Sequence, residues 1–506
     1  MASVTPFQLV KPEELAYLLP ELILVGTLIW SLLLELILRP RQSRFPVAGF
    51  TLLGLLAAAV ADLRLLGEPA RTLFSGMIVR DDFAIIFQLL AAFAAGLVVF
   101  ASIWTREVSD QPTAGQGEYY LLILGATIGM FFLVAAQNLL MLYLSMELLS
   151  LPSYLLVAWP KRSRPATEAG IKYVVYGAGA SCAMIYGISL LYGLSGSLEL
   201  HDLNAYVAGL SDQTALPVAT FLVALLLTLA GFLFKIAAFP LFQWAPDVYQ
   251  GAPTPITAFL AVGSKAAGMG ALLRFLYLGL CVRGSADLFT ALGGLHWPML
   301  IAVISALTMT AGNLIALAQT NAKRLLAYSS IAHAGYILMG IPLLSVAGLT
   351  AVIFYLAVYL VMNLGAFLSV IMLENQGLPP EIKNYRGLGA RSPAIAIAFS
   401  VFLFSLTGIP PLGGFIGKFY LFAALIQGRL YWLAVVGVLN SVVSLYYYAN
   451  IVRRMFLEKP LDETPVPASP MLRGLLAVLA LITLALGLYW IPLYQLVEFA
   501  ASTLGL

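Results

Sequence analysis

The chain is a succession of long apolar runs, each closed by charge, glycine or proline. About 20 apolar residues cross the hydrocarbon of a bilayer as a helix. Runs of that order recur at 15–38, 46–66, 82–104, 119–136, 138–159, 169–195, 216–239, 254–280, 298–318, 322–343, 346–373, 393–427, 430–452 and 472–492. The loop between the fourth and fifth is nearly absent, at Gln137 and Asn138. Only 10% of the 506 residues are charged and 61% are hydrophobic, whereas a soluble domain carries roughly a quarter charged residues. Such a chain cannot cover itself in water, so its solvent is lipid. The expected fold is an all-α integral membrane protein of about fourteen transmembrane helices.

The same composition excludes other chemistries. A net charge of +3 with no basic run gives nucleic acid no surface. Cys182 and Cys281 read as packing residues. His201, His296 and His333 are too scattered to hold a metal. There is no phosphate loop, no cysteine cluster for iron–sulfur and no nucleophile motif. Lys11, Glu13 and Glu14 before the first apolar run speak against a cleaved signal peptide.

Two runs are interrupted. Pro240 and Pro246 are expected to break the seventh helix, and Pro410 and Pro411, with Gly413 and Gly414 after them, the twelfth. Freed backbone groups at membrane depth must be satisfied inside the protein or beside water, so paired breaks point to a transport site. Gly231–Lys235 resembles Gly414–Lys418 at an offset of 183, and Ser153–Val157 resembles Gly335–Met339 at 182. These offsets imply a duplicated five-helix unit, and an odd helix count inverts the second copy. The expected organisation is 1–118 for three leading helices, 119–280 for the first repeat (helices 4–8), 298–452 for the inverted second (helices 9–13), and 453–506 for helix 14. Loops after odd-numbered helices carry 16 Lys and Arg against 7 on the other side, Lys11, Arg39 and Arg41 being in the tally. The positive-inside rule then puts both termini outside the cell.

Of the 27 Lys and Arg, 23 are assigned to loops or to positions near helix ends, every arginine among them, and the four left inside apolar helices are all lysines: Lys172, Lys235, Lys265 and Lys418. Arginine stays charged at any accessible pH, whereas a desolvated lysine can release its proton near neutrality. A charge at mid-bilayer costs at least about 2.5–3.5 kcal/mol. Lysines kept there point to proton exchange. Lys172, one turn inside the sixth helix, could instead snorkel to the surface. Glu147, mid-way along the fifth helix, is the natural partner of Lys235, and His333 in the tenth is a possible relay. Glu35, Asp62 and Glu374 read as interfacial, and Asp247 as a cap for backbone donors at the seventh-helix break.

With these residues in view, the chain resembles the antiporter-like subunits of respiratory complex I, the proton-translocating NADH:quinone oxidoreductase, and among them the branch called subunit N or subunit 2. The resemblance is carried by Glu147 with Ser150–Tyr154, Glu168–Tyr173, Phe234–Ala237, Trp244–Pro255, Gly263–Ala267, Ser329–Tyr336 and Gly408–Lys418, spread over helices 5 to 12. It implies fourteen helices with two inverted five-helix repeats and breaks in helices 7 and 12. It implies a Glu147–Lys235 pair, Lys265 as middle relay, Lys418 as terminal donor, and His333 on the polar axis between the last two. It further implies that NADH, FMN, iron–sulfur clusters and quinone belong to other subunits, with a neighbouring antiporter-like subunit and small membrane subunits as partners in the inner (plasma) membrane. A histidine common in the family before Trp244 is replaced by Gln243. The rivals are a multisubunit sodium/proton antiporter and a membrane-bound hydrogenase.

Overall fold

The computed structural model describes residues 12–38, 44–109, 116–284, 287–460, 464–466 and 469–504, so that Lys11, Arg39 and Arg41 lie outside the described residues. The membrane helices are α1 (Leu19–Ile37), α2 (Arg44–Leu65), α3 (Asp82–Ile103), α4 (Gln116–Ala135), α5 (Leu139–Val157), α6 (Arg164–Ser195), α7 (Ala215–Ile236), α8 (Thr254–Leu280), α9 (Trp297–Ala316), α10 (Ala322–Leu338), α11 (Val346–Glu374), α12, α13 (Tyr431–Leu457) and α14 (Pro470–Leu488). Thirteen of them, among the described residues, are long and apolar enough to cross a membrane singly. The fourteenth crossing, α12, is made of two shorter pieces, Pro393–Thr407 and Gly413–Gln427. Two short hairpins, β1–β2 (Arg71–Leu73, Ile78–Arg80) and β3–β4 (Cys281–Arg283, Phe289–Ala291), occupy loops that gave no strand signal. A terminal helix, α15 (Ile491–Ser502), packs on α3 and α11 and was also not expected from the sequence.

The core is built around α8 and α11, which are buried along their whole apolar windows, whereas α1 and α14 mostly face outward. Small residues let α8 be central: a Cβ on Gly263 would meet Ala94 at 3.3 Å, and one on Gly270 would meet Phe87 at 2.9 Å. Small side chains let helix backbones approach closely where lipid supplies no hydrophobic drive.

The duplication is written in hydrogen bonds. Asn138 caps α5 through the amides of Leu140 and Met141, and Asn321 caps α10 through those of Lys323 and Arg324. Around the first cap, Leu139 N donates to Leu198 O at 2.8 Å and Leu200 N to Gln137 O at 3.1 Å. Around the second, Ala322 N donates to Pro380 O at 2.6 Å and Ile382 N to Thr320 O at 2.8 Å. Ser163 caps α6 and Ser345 caps α11, again 182 residues apart.

Both expected breaks exist, with one correction. α7 ends at Ile236, with Ala237 left-handed (φ 55°), and the first piece of α12 ends at Thr407, with Gly408 left-handed (φ 91°). At each, an amide reaches back five residues, Ala238 N to Leu233 O and Ile409 N to Phe404 O, which closes the helix end. Pro240, Pro410 and Pro411 fall in the interruptions. Pro246 breaks nothing: it is the third residue of the helical piece Trp244–Gly251 that resumes α7, where its missing N–H is one the first turn leaves free anyway. The breaks are not at the 182-residue offset of the rest. Ile236 to Thr407 is 171 residues, so α12 is cut about three turns early.

Candidate functional site

Lys235 stands in the last turn of the first piece of α7, 2% exposed. The negative end of a helix dipole favours a cation there. Its Nζ donates to Ser150 Oγ at 2.5 Å. The expected partner Glu147 lies one turn before Ser150 on α5, half-buried, and its Oε1 accepts from Ser181 of α6. Glu147 and Lys235 do not form the contact ion pair expected of them; Lys235 is bonded instead to the Ser150 hydroxyl.

Lys265 begins the second half of α8, 1% exposed, directly after a π-helical turn, Leu260–Ser264. Such a turn holds one residue more than an α turn and re-aims the side chains after it. The Lys265 ammonium donates to both oxygens of Ser330 on α10, to the carbonyl at 2.5 Å and the hydroxyl at 2.6 Å. One turn on from Lys265, Gly268 is the bed of the Lys235 stem: a Cβ there would come within 2.9 Å of Lys235 Cγ. The two lysines thus meet neighbouring positions on one face of α8.

From Lys265 the polar trail continues along α10, where Ser330, His333 and Tyr336 share a face at three-residue spacing. His333 Nδ1 is 2.7 Å from the Tyr355 hydroxyl and Nε2 is 3.4 Å from that of Tyr448, which also bonds Ser329. The Tyr336 ring lies under Lys418 Nζ at 4.4 Å, a cation–π contact. Lys418, 4% exposed, sits in the second piece of α12. It donates to Ser441 Oγ at 3.1 Å and, across the break, to Thr407 O at 2.8 Å. That carbonyl is one the interrupted helix sets free, so the ammonium takes the place of a backbone donor. Gly408 is required twice over, by its φ of 91° and because a Cβ would meet Lys418 Cδ at 2.9 Å. A cavity of about 680 Å³ beside Lys418 is lined by Gly408, Phe415, Phe419, Ser441 and Val442.

Lys172 does not join this row. It is 38% exposed and pairs with Glu168 and Asp247, both at 2.7 Å. Asp247 in turn pairs with Arg324 at 2.5 Å, so it ties α6 to α10 across the resumed piece of α7 and does not cap the break. The freed Phe234 carbonyl is met by the Trp244 indole at 3.0 Å. Asp62, in the last turn of α2, is fully buried against the protein, and Glu374 accepts from Thr254 at 2.6 Å. The Gly231–Lys235 and Gly414–Lys418 likeness also needs correction, because the first lysine precedes its break and the second comes after it.

The sequence reading gave no role to Ser150, Ser330, Tyr336, Tyr355 and Tyr448, which contact the three lysines and His333. A serine or tyrosine in an apolar run gives no signal of its own. The equal spacing of Ser330, His333 and Tyr336 on one helix face could have found two of them. Among the described residues, no group of three or more His, Cys, Asp or Glu is placed to hold a metal ion.

Comparison with known proteins bears on these features. Residues 136–444 match the family model described as NADH:quinone oxidoreductase/Mrp antiporter, TM. The chain is 43% identical over 498 residues to the NADH-quinone oxidoreductase subunit N of Anaeromyxobacter sp. (strain Fw109-5), with 95% of each covered. Its fold is similar to a chain of the Thermus thermophilus respiratory complex I solved with bound aureothin, at TM-score 0.76 and 34% identity, covering 94% of this chain and 98% of that one. A chain of the Mrp complex from Dietzia sp. DQ12-45-1b shares the fold at TM-score 0.82 with 22% identity, covering 97% of both.

Proposed function

The chain belongs to the NADH:quinone oxidoreductase/Mrp antiporter family of membrane subunits, and we propose that it works as subunit N of a complex I-type enzyme, moving protons along its row of buried lysines. The observation that carries this reading is the polar trail on α10. Lys265 donates to Ser330, Lys418 lies over the Tyr336 ring and His333 stands between those two residues on the same helix, while Lys235 packs on Gly268 of the Lys265 helix and donates to Ser150, one turn from Glu147. Each ammonium rests on neutral oxygens, not on a contacting carboxylate. A hydrogen bond to a charged group is worth about 1.5–3 kcal/mol, comparable to the few kcal/mol that a charge costs at mid-bilayer. Each ammonium is thus held without a fixed contacting counter-charge, so a charge that moves toward it or away from it changes its hold on its proton.

Glu147 supplies that charge. Rearrangement driven by quinone reduction in another part of the complex changes the distance between Glu147 and Lys235 and hence the hold on the Lys235 proton. The proton passes by way of Lys265 and His333 to Lys418 and leaves on the outer side. The two repeats, at about 119–280 and 298–452, each contribute one half of the path. Both termini face outward in the plasma membrane, in keeping with the excess of basic residues in the odd-numbered loops. NADH, FMN, iron–sulfur clusters and quinone are held by other subunits, and this chain supplies transport alone. A neighbouring antiporter-like subunit seated over the cavity beside Lys418 would extend the row. Likeness to the Mrp complex is one of fold alone, at 22% identity.

The test uses the assembled complex in vesicles. Lys235→Ala or Glu147→Ala is expected to leave assembly and quinone reduction measurable while lowering the number of protons moved per electron. An unchanged ratio would overturn the reading.

A further inference from the structure

A second charged cluster lies away from the lysine row. Arg80, 4% exposed, enters the membrane domain from the β1–β2 hairpin between α2 and α3. One of its terminal nitrogens donates to Glu21 Oε1 of α1 at 3.2 Å and to Gln88 Oε1 of α3 at 2.6 Å, and the other to Asp62 Oδ1 of α2. Gln88 Nε2 donates to the same Glu21 oxygen at 2.7 Å and to Phe131 O of α4 at 3.2 Å. Glu21 is 3% exposed and Asp62 0%. The second oxygens, Glu21 Oε2 and Asp62 Oδ2, are buried with no partner in the protein.

Two carboxylates therefore share a single guanidinium. Among the described residues, no other cation is placed to balance them. Arg274, likewise buried, is spent on Asp81 through two bonds of 2.8 and 2.9 Å and on Val134 O. Arg64 and Arg71 are exposed, and Asp82 accepts from Gly67 N. Glu35 of α1, Arg44 of α2, and Glu118, Tyr119 and Tyr120 of α4 belong to the opposite ends of their helices. An unbalanced buried charge is neutralised by a proton in preference to being kept, and adjacent carboxylates commonly share one. We propose that Glu21 and Asp62 hold one exchangeable proton around Arg80, a proton-binding site separate from the lysine row. The site stands at the end of α1–α3 that the basic-residue count puts outside. Helix α3 joins it to the row: Phe87, beside Gln88, packs on Gly270, and Ala94 on Gly263, both on the helix that carries Lys265. Its role as a station for departing protons rests on the pumping reading; its occupancy does not.

Infrared spectroscopy of the intact complex reads that occupancy through the carbonyl stretch of a protonated carboxyl and its shift in heavy water. Glu21→Gln and Asp62→Asn should each remove the band, because the remaining carboxylate then pairs with Arg80 as an anion. A band unchanged in both variants overturns the proposal. If one variant fails to assemble, the other decides alone. A Lys265→Ala complex that pumps normally would sink the pumping reading while leaving the band, and the proton it reports, in place.

Discussion

Gly268→Ala perturbs the lysine row without replacing a titratable group. In the interior of α8, alanine should favour the helix by about 1 kcal/mol over glycine. The added methyl, however, would stand 2.9 Å from Lys235 Cγ and 3.3 Å from Ile236 Cγ2. The nearer contact is to the root of the lysine stem, not its flexible end, so the side chain must shift by a few tenths of an ångström. That shift draws Nζ off Ser150 Oγ, now 2.5 Å away. Loss of a hydrogen bond to a charged group is worth about 1.5–3 kcal/mol, and each 1.4 kcal/mol is tenfold. The aligned arrangement should become about 10- to 100-fold rarer. The assay is proton uptake into vesicles containing the complex, set against its rate of quinone reduction. Gly474→Ala is the control, because a Cβ there meets nothing within 4 Å. The variant should assemble and keep its thermal stability while moving fewer protons per electron. A parental ratio in the assembled Gly268→Ala complex would refute the claim that transport depends on where the Lys235 ammonium rests.

Three further outcomes are expected. Ser330→Ala removes one of the two oxygens on Lys265 and leaves the carbonyl at 2.5 Å, so initial pumping rates should fall while assembly is kept; equal rates would count against Lys265 as a relay. Asp81→Asn leaves Arg274, 0% exposed, without its anion and should cost about 3–5 kcal/mol, read as a lower thermal midpoint of the complex, with an unmoved midpoint refuting it. Hydrogen bonding from Arg386, aided by the charges of Arg386, Arg454 and Arg453, holds the Glu458 carboxyl below its ordinary 4.5. A lowered value means that its contribution is present above the unfolded value and is lost as the pH falls through the folded one. Amide exchange at the end of α13 and around Arg386 should therefore rise on acidification into that range, and a flat profile would rule the contribution out.

Much of this architecture could be read from the residues. Apolar length gave the helix count, since lipid leaves the backbone few alternatives. The four intramembrane lysines were visible because, away from the helix ends, nothing else in those runs is charged. The asparagine caps were equally available, as Asn138 and Asn321 stand 183 residues apart, but polar residues between helices look like loop. Arg80 and Arg274 were hidden for a different reason. Near the ends of apolar runs they read as interfacial, and only the tertiary fold turns them inward against Glu21, Asp62 and Asp81. Lys172, one turn inside its helix, was open to either reading, and it takes the surface one, reaching Glu168 and Asp247. Pro246 shows that a proline marks a break only where no fresh helix begins.

The early cut in α12 gives the two halves opposite handles. In the first, the lysine rides the segment that leads into the gap; in the second, it rides the segment that leads out and grips the loose end left behind. The same hinge-like flexing of both gaps would tug Lys235 along with its own strand of helix but pull Lys418 away from its anchor, Thr407. A twin-built scaffold thereby gains a built-in direction, with one half carrying its charge while the other lets go.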